Sequence, residues 1–208
     1  HGYEAPASIN THLNSYNFEQ SSVEGTFPTT GFTGATFTIV LKDNKKATEY
    51  NWTADANWVT ATNGIVQFTG TGTSDKVTIT GVPTSGQGNI IKYSFRLKSW
   101  FINFGKELAT YSYAETLCSS QVGYGVPLTA HLTNGTKVVG KDDQSRAANA
   151  GLWSEWGDVG NYSAGFRYWT WTSEPAGKDS NFIVILQNGD VLNAQKLTQR
   201  EVVCRKGL

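Results

Sequence analysis

The stretch from Phe166 to Cys204 constrains the fold more than any other part of the chain. Aromatic and β-branched runs at residues 166–172 and 182–186 are separated by turn residues such as Asn188-Gly189. Such side chains suit a pleated surface, and Asn-Gly accepts the positive φ of a tight hairpin turn. The pattern therefore predicts an antiparallel meander that closes with residues 202–204. Because aromatic rings occupy consecutive positions of the first run, we expect this strand to be covered on both faces.

Two helices are predicted before the meander, and they would provide this cover. Ser112 followed by Glu115 is typical of a capping box, and apolar residues three or four apart predict a helix over about 113–120. From about Asp143, alanine, leucine and tryptophan recur every four residues, which predicts a second helix that ends before Gly157. Two helices followed by an antiparallel meander indicate an α+β unit.

The first half of the chain has a different pattern, with short alternating runs and a turn signal between each pair. These runs continue to Leu97, whereas residues 1–30 indicate only a lead-in and a first strand. Regular short strands of this kind predict an all-β immunoglobulin-like sandwich. This half contains no cysteine pair, so we expect its core to pack around Trp52. The predicted domains are therefore the sandwich at residues 1–98 and the α+β unit at residues 99–208.

The charge and hydropathy of the chain argue against two classes of partner. Its 208 residues include 17 basic and 17 acidic side chains, so the formal net charge is zero. Nucleic acids and anionic lipids attract proteins mainly through positive charge, so we expect no nucleic acid partner. No apolar run approaches the roughly 20 residues that span a bilayer, so we expect no membrane insertion by this chain. A start at His1 without any methionine indicates a piece of a longer protein.

The two cysteines, Cys118 and Cys204, leave two possibilities. Neither has a His or Cys neighbour at the spacing of a zinc site or a dithiol redox motif. We expect a disulfide between them, because a bridge from a helix to the last strand would close a long loop and would suit an exported domain. Two buried thiols in a cytosolic protein are the alternative.

The sequence does not indicate catalysis. His12 and His131 are far apart, and there is no nucleophile elbow, Walker loop, His-Glu-X-X-His or dinucleotide fingerprint. Asp142-Asp143 is the most visible carboxylate pair, but acids before a helix more commonly interact with its dipole. We expect no catalytic residue, no metal and no cofactor. A glycosidase built on two acids is the alternative.

The order of these elements resembles that of a C-type lectin-like domain. The resemblance lies in a strand at about 100–104, a helix carrying Cys118, a second helix, the Tyr-Trp-Thr-Trp-Thr run and a cysteine in the terminal strand. The immunoglobulin-like sandwich precedes this domain with almost no linker between them. It contains Tyr-Asn-Trp-Thr at 50–53 and Trp58-Val59. The whole resembles the C-terminal tip of invasin and intimin, which are inverse autotransporter adhesins.

This resemblance implies a specific role. A tip of this kind lies at the bacterial cell surface, is anchored in the outer membrane through an N-terminal region, and acts as a monomer. It binds a host cell-surface or secreted protein, with an integrin or an immunoglobulin as candidates. The lectin-like domain carries the binding face, and the sandwich supports it.

Sugar-binding C-type lectins use Glu-Pro-Asn and Trp-Asn-Asp motifs, because calcium needs several oxygen ligands and sugar hydroxyls complete its shell. Here the loop reads Glu174-Pro175-Ala176, and no Trp-Asn-Asp follows. Calcium-dependent sugar binding is therefore disfavoured, and a carbohydrate-binding lectin is the alternative function.

Exposed aromatic side chains beside glycine favour a binding surface near residues 153–167. Trp156 lies on the apolar stripe of the predicted helix and is expected to pack inward. The candidates there are Trp153, Asp158, Asn161, Tyr162 and Arg167.

A second candidate surface is the turn that contains Glu174, Lys178 and Asp179, for which a solvated hairpin loop is the alternative. Integrin-binding members of the adhesin family present exposed aspartates to the receptor's metal. The aspartates considered for that role are Asp142, Asp143, Asp158 and Asp179.

Overall fold

The computed structural model describes residues 2–208. The first segment of the chain, residues 2–98, forms two packed β-sheets. Once the strands are numbered along the chain, one sheet has the order β1-β10-β9-β6 and the other β3-β2-β5-β8-β7. The strands are β1 (Tyr3–Glu4), β2 (Ser8–Thr11), β3 (Tyr16–Glu19), β4 (Thr30–Gly31), β5 (Thr36–Val40), β6 (Tyr50–Ala54), β7 (Val59–Thr62), β8 (Ile65–Phe68), β9 (Val77–Pro83) and β10 (Ile90–Phe95).

Alternation of side chains explains how these strands pack. In β5, Phe37 and Ile39 are buried, while Thr36 and Thr38 face partly outward. Successive side chains of a strand point to opposite faces, so one face of each sheet can be apolar. The predicted sandwich is confirmed.

The core of the sandwich is not built around Trp52, and that prediction is wrong. Trp52 lies on β6, which is the edge of its sheet, and it is only half-buried, with Nε1 donating to the Ala47 carbonyl at 2.8 Å. An edge strand has one neighbour, so its side chains receive less cover. The rings of Phe37, Phe68 and Phe95 fill the centre instead.

The second segment, residues 99–208, has three short α-helices, one 3-10 helix (Val159–Tyr162) and two small sheets, one of which also includes β4 of the first segment. One sheet has the order β12-β16-β11-β4 and the other β13-β14-β15. The elements are β11 (Ser99–Asn103), α1 (Tyr111–Ser119), β12 (Tyr124–Gly125), α2 (Thr129–Leu132), α3 (Leu152–Trp156), β13 (Trp169–Gly177), β14 (Ser180–Ile185), β15 (Val191–Gln195) and β16 (Val203–Gly207).

The antiparallel meander is present as β13-β14-β15, but its closing strand lies elsewhere. β16 pairs antiparallel with β11, with Ile102 opposite Cys204, so the chain end belongs to the other sheet. The first run of the meander is also covered less evenly than expected. Trp171 is fully buried and its Nε1 donates to the Ala109 carbonyl at 2.8 Å, whereas Tyr168 is 51% exposed.

The helices differ from their predictions at their ends. α1 begins two residues earlier because Thr110 is its N-cap, with Oγ1 accepting from the Tyr113 N–H. The expected Ser112 capping box is not used. The second predicted helix is reduced to α3. Asn149 and Gly151 have φ values of 58° and 107°, which an α-helix does not tolerate, so the chain before Leu152 is not helical.

The disulfide between Cys118 and Cys204 is present, as predicted, and ties α1 to β16. Both sulfurs are buried in a small apolar cluster that also contains Trp171, Ile183 and Val202. The bond therefore crosses the core that α1 forms with both sheets of the second segment.

The strongest link between the two segments is the buried carboxylate of Glu155. It accepts hydrogen bonds from the backbone N–H groups of Thr29 and Thr30 at 2.9–3.0 Å and from both threonine hydroxyls. The backbone N–H of Asn149 donates to it at 2.8 Å. Burial raises the pKa of Glu155, while these donors act in the opposite direction.

The next residue, Trp156, packs inward as its place on the apolar stripe predicts. Its ring is fully buried, with centroids 5.0 Å from Phe27 and 5.4 Å from Phe32, and its Nε1 donates to the Thr30 carbonyl and hydroxyl. A tryptophan of the second segment thus completes the core of the first. β4 also leaves the sandwich to pair in parallel with β11. The domain boundary at 98/99 stays a prediction, because one apolar core continues across it.

We expect Glu155→Ala to lower the free energy of unfolding by about 3 kcal/mol or more, because three backbone N–H groups would lose their buried acceptor. Glu155→Gln retains one acceptor oxygen and should lose less. Urea unfolding followed by tryptophan fluorescence measures both variants. Glu19 is exposed, and Glu19→Ala is the matched control, expected to stay within about 0.5 kcal/mol. Equal losses for Glu155→Ala and Glu19→Ala would contradict this role.

Removing the disulfide by Cys118→Ala together with Cys204→Ala should lower the free energy of unfolding by about 4 kcal/mol, because the cross-link spans 86 residues of the unfolded chain. The measurement is urea unfolding with and without dithiothreitol. The double variant is its own control, since reductant should no longer change its stability. A parent protein indifferent to reductant would refute the prediction.

Candidate binding surface

The most prominent exposed feature of the second segment is the loop from Thr133 to Arg146, here called the 133–146 loop. Its two ends are fastened together. Asn134 and Ser145 exchange two hydrogen bonds, from Ser145 N–H to Asn134 Oδ1 at 2.8 Å and between their side chains at 3.1 Å. Thr133 Oγ1 donates to the Gly189 carbonyl at 2.6 Å, which fixes the base of the loop on the β14–β15 turn. The base is therefore a rigid platform.

The crest of the loop, residues 138–142, is exposed and carries both apolar and charged side chains. Val138 and Val139 are 56% and 48% exposed, and Lys141 N–H bonds to the Val138 carbonyl at 3.1 Å to close a turn. Asp142 follows this turn, is exposed, and has no hydrogen-bond partner among residues 2–208. An unpaired carboxylate beside two exposed valines is free to contact a partner.

The neighbouring residue, Asp143, has a structural role in the loop. Asp143 Oδ1 accepts from the Thr136 N–H at 2.9 Å, and this hydrogen bond joins the two sides of the loop. This hydrogen bond lowers the pKa of the Asp143 carboxyl, because it stabilises the charged form. Within this adjacent pair, the Asp143 carboxylate holds the loop in shape through its hydrogen bond to Thr136, and the Asp142 carboxylate has no such bond.

Glu174 connects this loop to the meander. Its Oε1 accepts from the Thr129 N–H at 2.8 Å, and Lys137 forms an ion pair with its other oxygen. Both contacts lower the pKa of the carboxyl, whereas burial raises it. Glu174 therefore joins α2, the 133–146 loop and β13. No three His, Cys, Asp and Glu side chains of residues 2–208 are grouped so as to hold a metal ion.

Two of the four candidates near residues 153–162 lie inside the protein. Trp153 is buried with Nε1 donating to the Gln187 carbonyl at 3.3 Å, and Tyr162 is buried with its hydroxyl donating to the Trp156 carbonyl at 3.2 Å. Burial raises the pKa of the Tyr162 hydroxyl to about 12. Both rings are therefore covered by the protein and are not presented at its surface.

Asp158 and Asn161 are used at the junction of the two segments. Asp158 Oδ1 accepts from the Gly160 N–H at 3.0 Å, and Asn161 Nδ2 donates to Asn14 Oδ1 at 3.1 Å. Asn14 Nδ2 in turn donates to the carbonyls of Trp156 and Asp158. The Asn161 side chain and the Asp158 carbonyl therefore bond to Asn14 of the first segment, whereas the Asp158 side chain bonds within its own loop.

The hairpin candidates Lys178 and Asp179 are both exposed at the tip between β13 and β14. Neither side chain has a hydrogen-bond partner among residues 2–208. They stay candidates for contact, separate from the cluster at residues 153–162.

A second exposed surface lies at the start of β13, and we call it the aromatic groove. It has a volume of about 510 Å³. Arg167, the remaining candidate, stands at its rim with its guanidinium 5.2 Å from the Tyr168 ring centroid. The groove is lined by Leu108, Tyr168, Trp169, Gln187, Gln199, Arg200 and Glu201. The sequence did not predict this groove, because its residues come from four separate stretches of the chain. The Tyr168-Trp169 pair was the one available signal.

Within the part of the chain that is described, no helix has the length and apolar character needed to cross a bilayer.

Comparisons with known proteins agree with this architecture. Residues 8–95 match the family model described as invasin, domain 4. The chain is 37% identical over 191 residues to the inverse autotransporter adhesin YeeJ of Escherichia coli (strain K12). The matched region covers 88% of this chain and 8% of that protein. The chain thus spans less than a tenth of the length of this relative.

Two solved structures share the fold. The crystal structure of invasin, described as a bacterial integrin-binding protein, superposes with a TM-score of 0.81 at 22% identity, over 98% of this chain and 39% of that one. The second structure is the C-terminal 282-residue fragment of intimin in complex with the intimin-binding domain of the translocated intimin receptor. It superposes with a TM-score of 0.64 at 14% identity, over 97% of this chain and 64% of that one. An immunoglobulin-like sandwich followed by an α+β C-type lectin-like domain is therefore confirmed as the fold class.

The 133–146 loop should respond to acid through Asp143. A depressed pKa means that the loop-closing contribution is present above the usual carboxyl pKa and is lost as pH falls through the folded-state value. We expect the Thr136 amide resonance to move between about pH 5 and pH 2 in nuclear magnetic resonance spectra. Asp143→Ala should abolish this movement, and Asp142→Ala, its neighbour control, should leave it. A Thr136 resonance that titrates equally in both variants would contradict the assignment.

Proposed function

Because this chain belongs to the invasin and intimin family of inverse autotransporter adhesins, we propose that it is an adhesive segment that binds a host protein through its lectin-like domain. In this proposal the segment works at the bacterial cell surface as a monomer and carries out no catalysis. The sandwich supports the lectin-like domain and fixes its direction.

The names of the related proteins support binding as the activity. One relative is called an adhesin, invasin is described as integrin-binding, and intimin was crystallised with its receptor domain. Since the chain spans a small share of the first relative, the activity of a whole adhesin is a proposal for this chain. The partner proposed is a host cell-surface or secreted protein, with an integrin first and an immunoglobulin second.

The observation that carries the proposal is the exposed crest of the 133–146 loop on its rigid base. Protein interfaces commonly centre on a few apolar or charged anchors, and preorganisation lowers the entropy cost of ordering them. Val138, Val139 and Asp142 are such anchors, because they are exposed and the loop ends are fastened. A carboxylate is also the ligand that a receptor-bound divalent cation accepts.

Lys178 and Asp179 at the hairpin tip provide a secondary contact in this proposal. The other sequence candidates would act indirectly. Trp153 would hold α3 on the β14–β15 turn, and Asp158 and Tyr162 would hold the second segment on the first through the Asn14 side chain and the Phe32 ring.

Asp142→Ala should reduce attachment to host cells by about tenfold or more, the loss typical of a central interface anchor. Immobilised residues 1–208 would be tested against cultured cells and purified integrins in manganese and in EDTA, and against serum immunoglobulin. Loss in EDTA supports an integrin partner, whereas EDTA-resistant capture of immunoglobulin supports the second candidate.

The matched control is Asp75→Ala, which removes an exposed aspartate of the first segment and should leave attachment unchanged. If Asp142→Ala and Asp75→Ala attach equally well, the loop is not the binding surface. If the parent chain captures no host protein, the proposed function itself fails.

A further inference from the structure

We propose that the aromatic groove is a carbohydrate-binding site that holds a hexopyranose unit by ring stacking and hydrogen bonds, without a metal ion. The groove lies at the start of β13 and uses none of the residues assigned to the 133–146 loop. The inference therefore goes beyond the proposed protein-binding function and does not rest on it.

The first argument is the exposed ring of Tyr168. A tyrosine that is 51% exposed beside Leu108, itself 47% exposed, presents an apolar surface to water. Its position is fixed, because the Tyr168 carbonyl accepts from the Leu186 N–H at 2.7 Å and the Arg167 guanidinium stands over the ring. The face of an aromatic ring is electron-rich and attracts the polarised C–H groups on the apolar face of a pyranose.

The second argument is a pair of polar atoms without partners. Gln187 and Arg200 line the groove, and their Oε1 and Nε atoms are buried in its wall without a hydrogen-bond partner among residues 2–208. A buried donor or acceptor left unpaired costs free energy, so such atoms call for an explanation. One is an acceptor and the other a donor. Sugar hydroxyls both donate and accept, so a sugar that these two side chains turn to meet can supply a partner for each.

The third argument excludes an extended peptide as the occupant. A peptide captured at a sheet edge needs free backbone N–H and C=O groups. Here the Trp169 carbonyl accepts from the Glu201 N–H at 3.0 Å, and the Trp169 N–H donates to Glu201 Oε2 at 3.3 Å. Since the Tyr168 carbonyl is also paired, this edge cannot add a strand. The occupant must be recognised by side chains.

A bound calcium ion would not suit the groove. Calcium takes six to eight oxygen ligands. The single carboxylate of the groove, Glu201, already accepts the Trp169 N–H, and the Arg200 guanidinium stands 5.0 Å from the Trp169 ring. A cation beside that guanidinium would be repelled. Stacking and hydrogen bonds are therefore the recognition chemistry.

The test uses residues 1–208 in EDTA, with oligosaccharides ending in glucose, galactose, mannose or N-acetylglucosamine. Saturation-transfer nuclear magnetic resonance identifies a bound sugar, and titration gives its dissociation constant. Tyr168→Ala should weaken binding about tenfold or more by removing the stacking ring. Gln187→Leu removes the acceptor at similar volume and should weaken binding several-fold. Circular dichroism and thermal unfolding verify that both variants fold.

Tyr3→Ala is the matched control, because Tyr3 is an exposed tyrosine of the first segment with the Lys92 ammonium 4.0 Å from its ring centroid. It should leave sugar binding unchanged, as should Asp142→Ala. The proposal is overturned if no sugar of the panel binds saturably in EDTA, or if folded Tyr168→Ala binds as well as the parent. Failure here with Asp142-dependent cell attachment intact would leave the proposed function standing.

Discussion

The buried carboxylate of Glu155 is the interaction on which the rest of the structure depends. An isolated carboxylate would be costly in an apolar interior, and here backbone and hydroxyl donors of Thr29 and Thr30 surround it. Those donors belong to the first segment and the acceptor to the second. Because neither segment can satisfy its own polar groups at this point, the two must fold against each other. Trp156 then enters the aromatic core of the sandwich and adds apolar burial to the same junction.

This junction also determines how the exposed surfaces are presented. Arg146, at the end of the 133–146 loop, donates to the Glu155 carbonyl at 3.0 Å and to Thr11 Oγ1 at 3.1 Å, with its guanidinium over the Tyr16 ring. One end of the loop is thus attached to the sandwich.

The two exposed surfaces of the second segment rely on different chemistry. The loop crest projects valines and a free carboxylate, which suits a protein partner. The aromatic groove is concave, combines rings with unpaired polar atoms, and suits a small polar ring. Both depend on the same scaffold, because the disulfide and Trp171 hold α1 against the sheets that carry them. An adhesin with both surfaces would contact a glycoprotein at two points.

The sequence by itself determined the features that arise from neighbouring residues. The alternation around Phe37, the hairpins of the meander, the helix carrying Cys118 and the inward position of Trp156 all follow from local periodicity and turn chemistry. Only the tertiary structure decided the sheet in which β16 lies, the loss of helix before Leu152, the exposure of Tyr168 and the use of Asn161 at the junction. The physical reason is distance along the chain. Asn161 is bonded to Asn14, and Arg200 meets Trp169, through contacts whose partners no local pattern identifies.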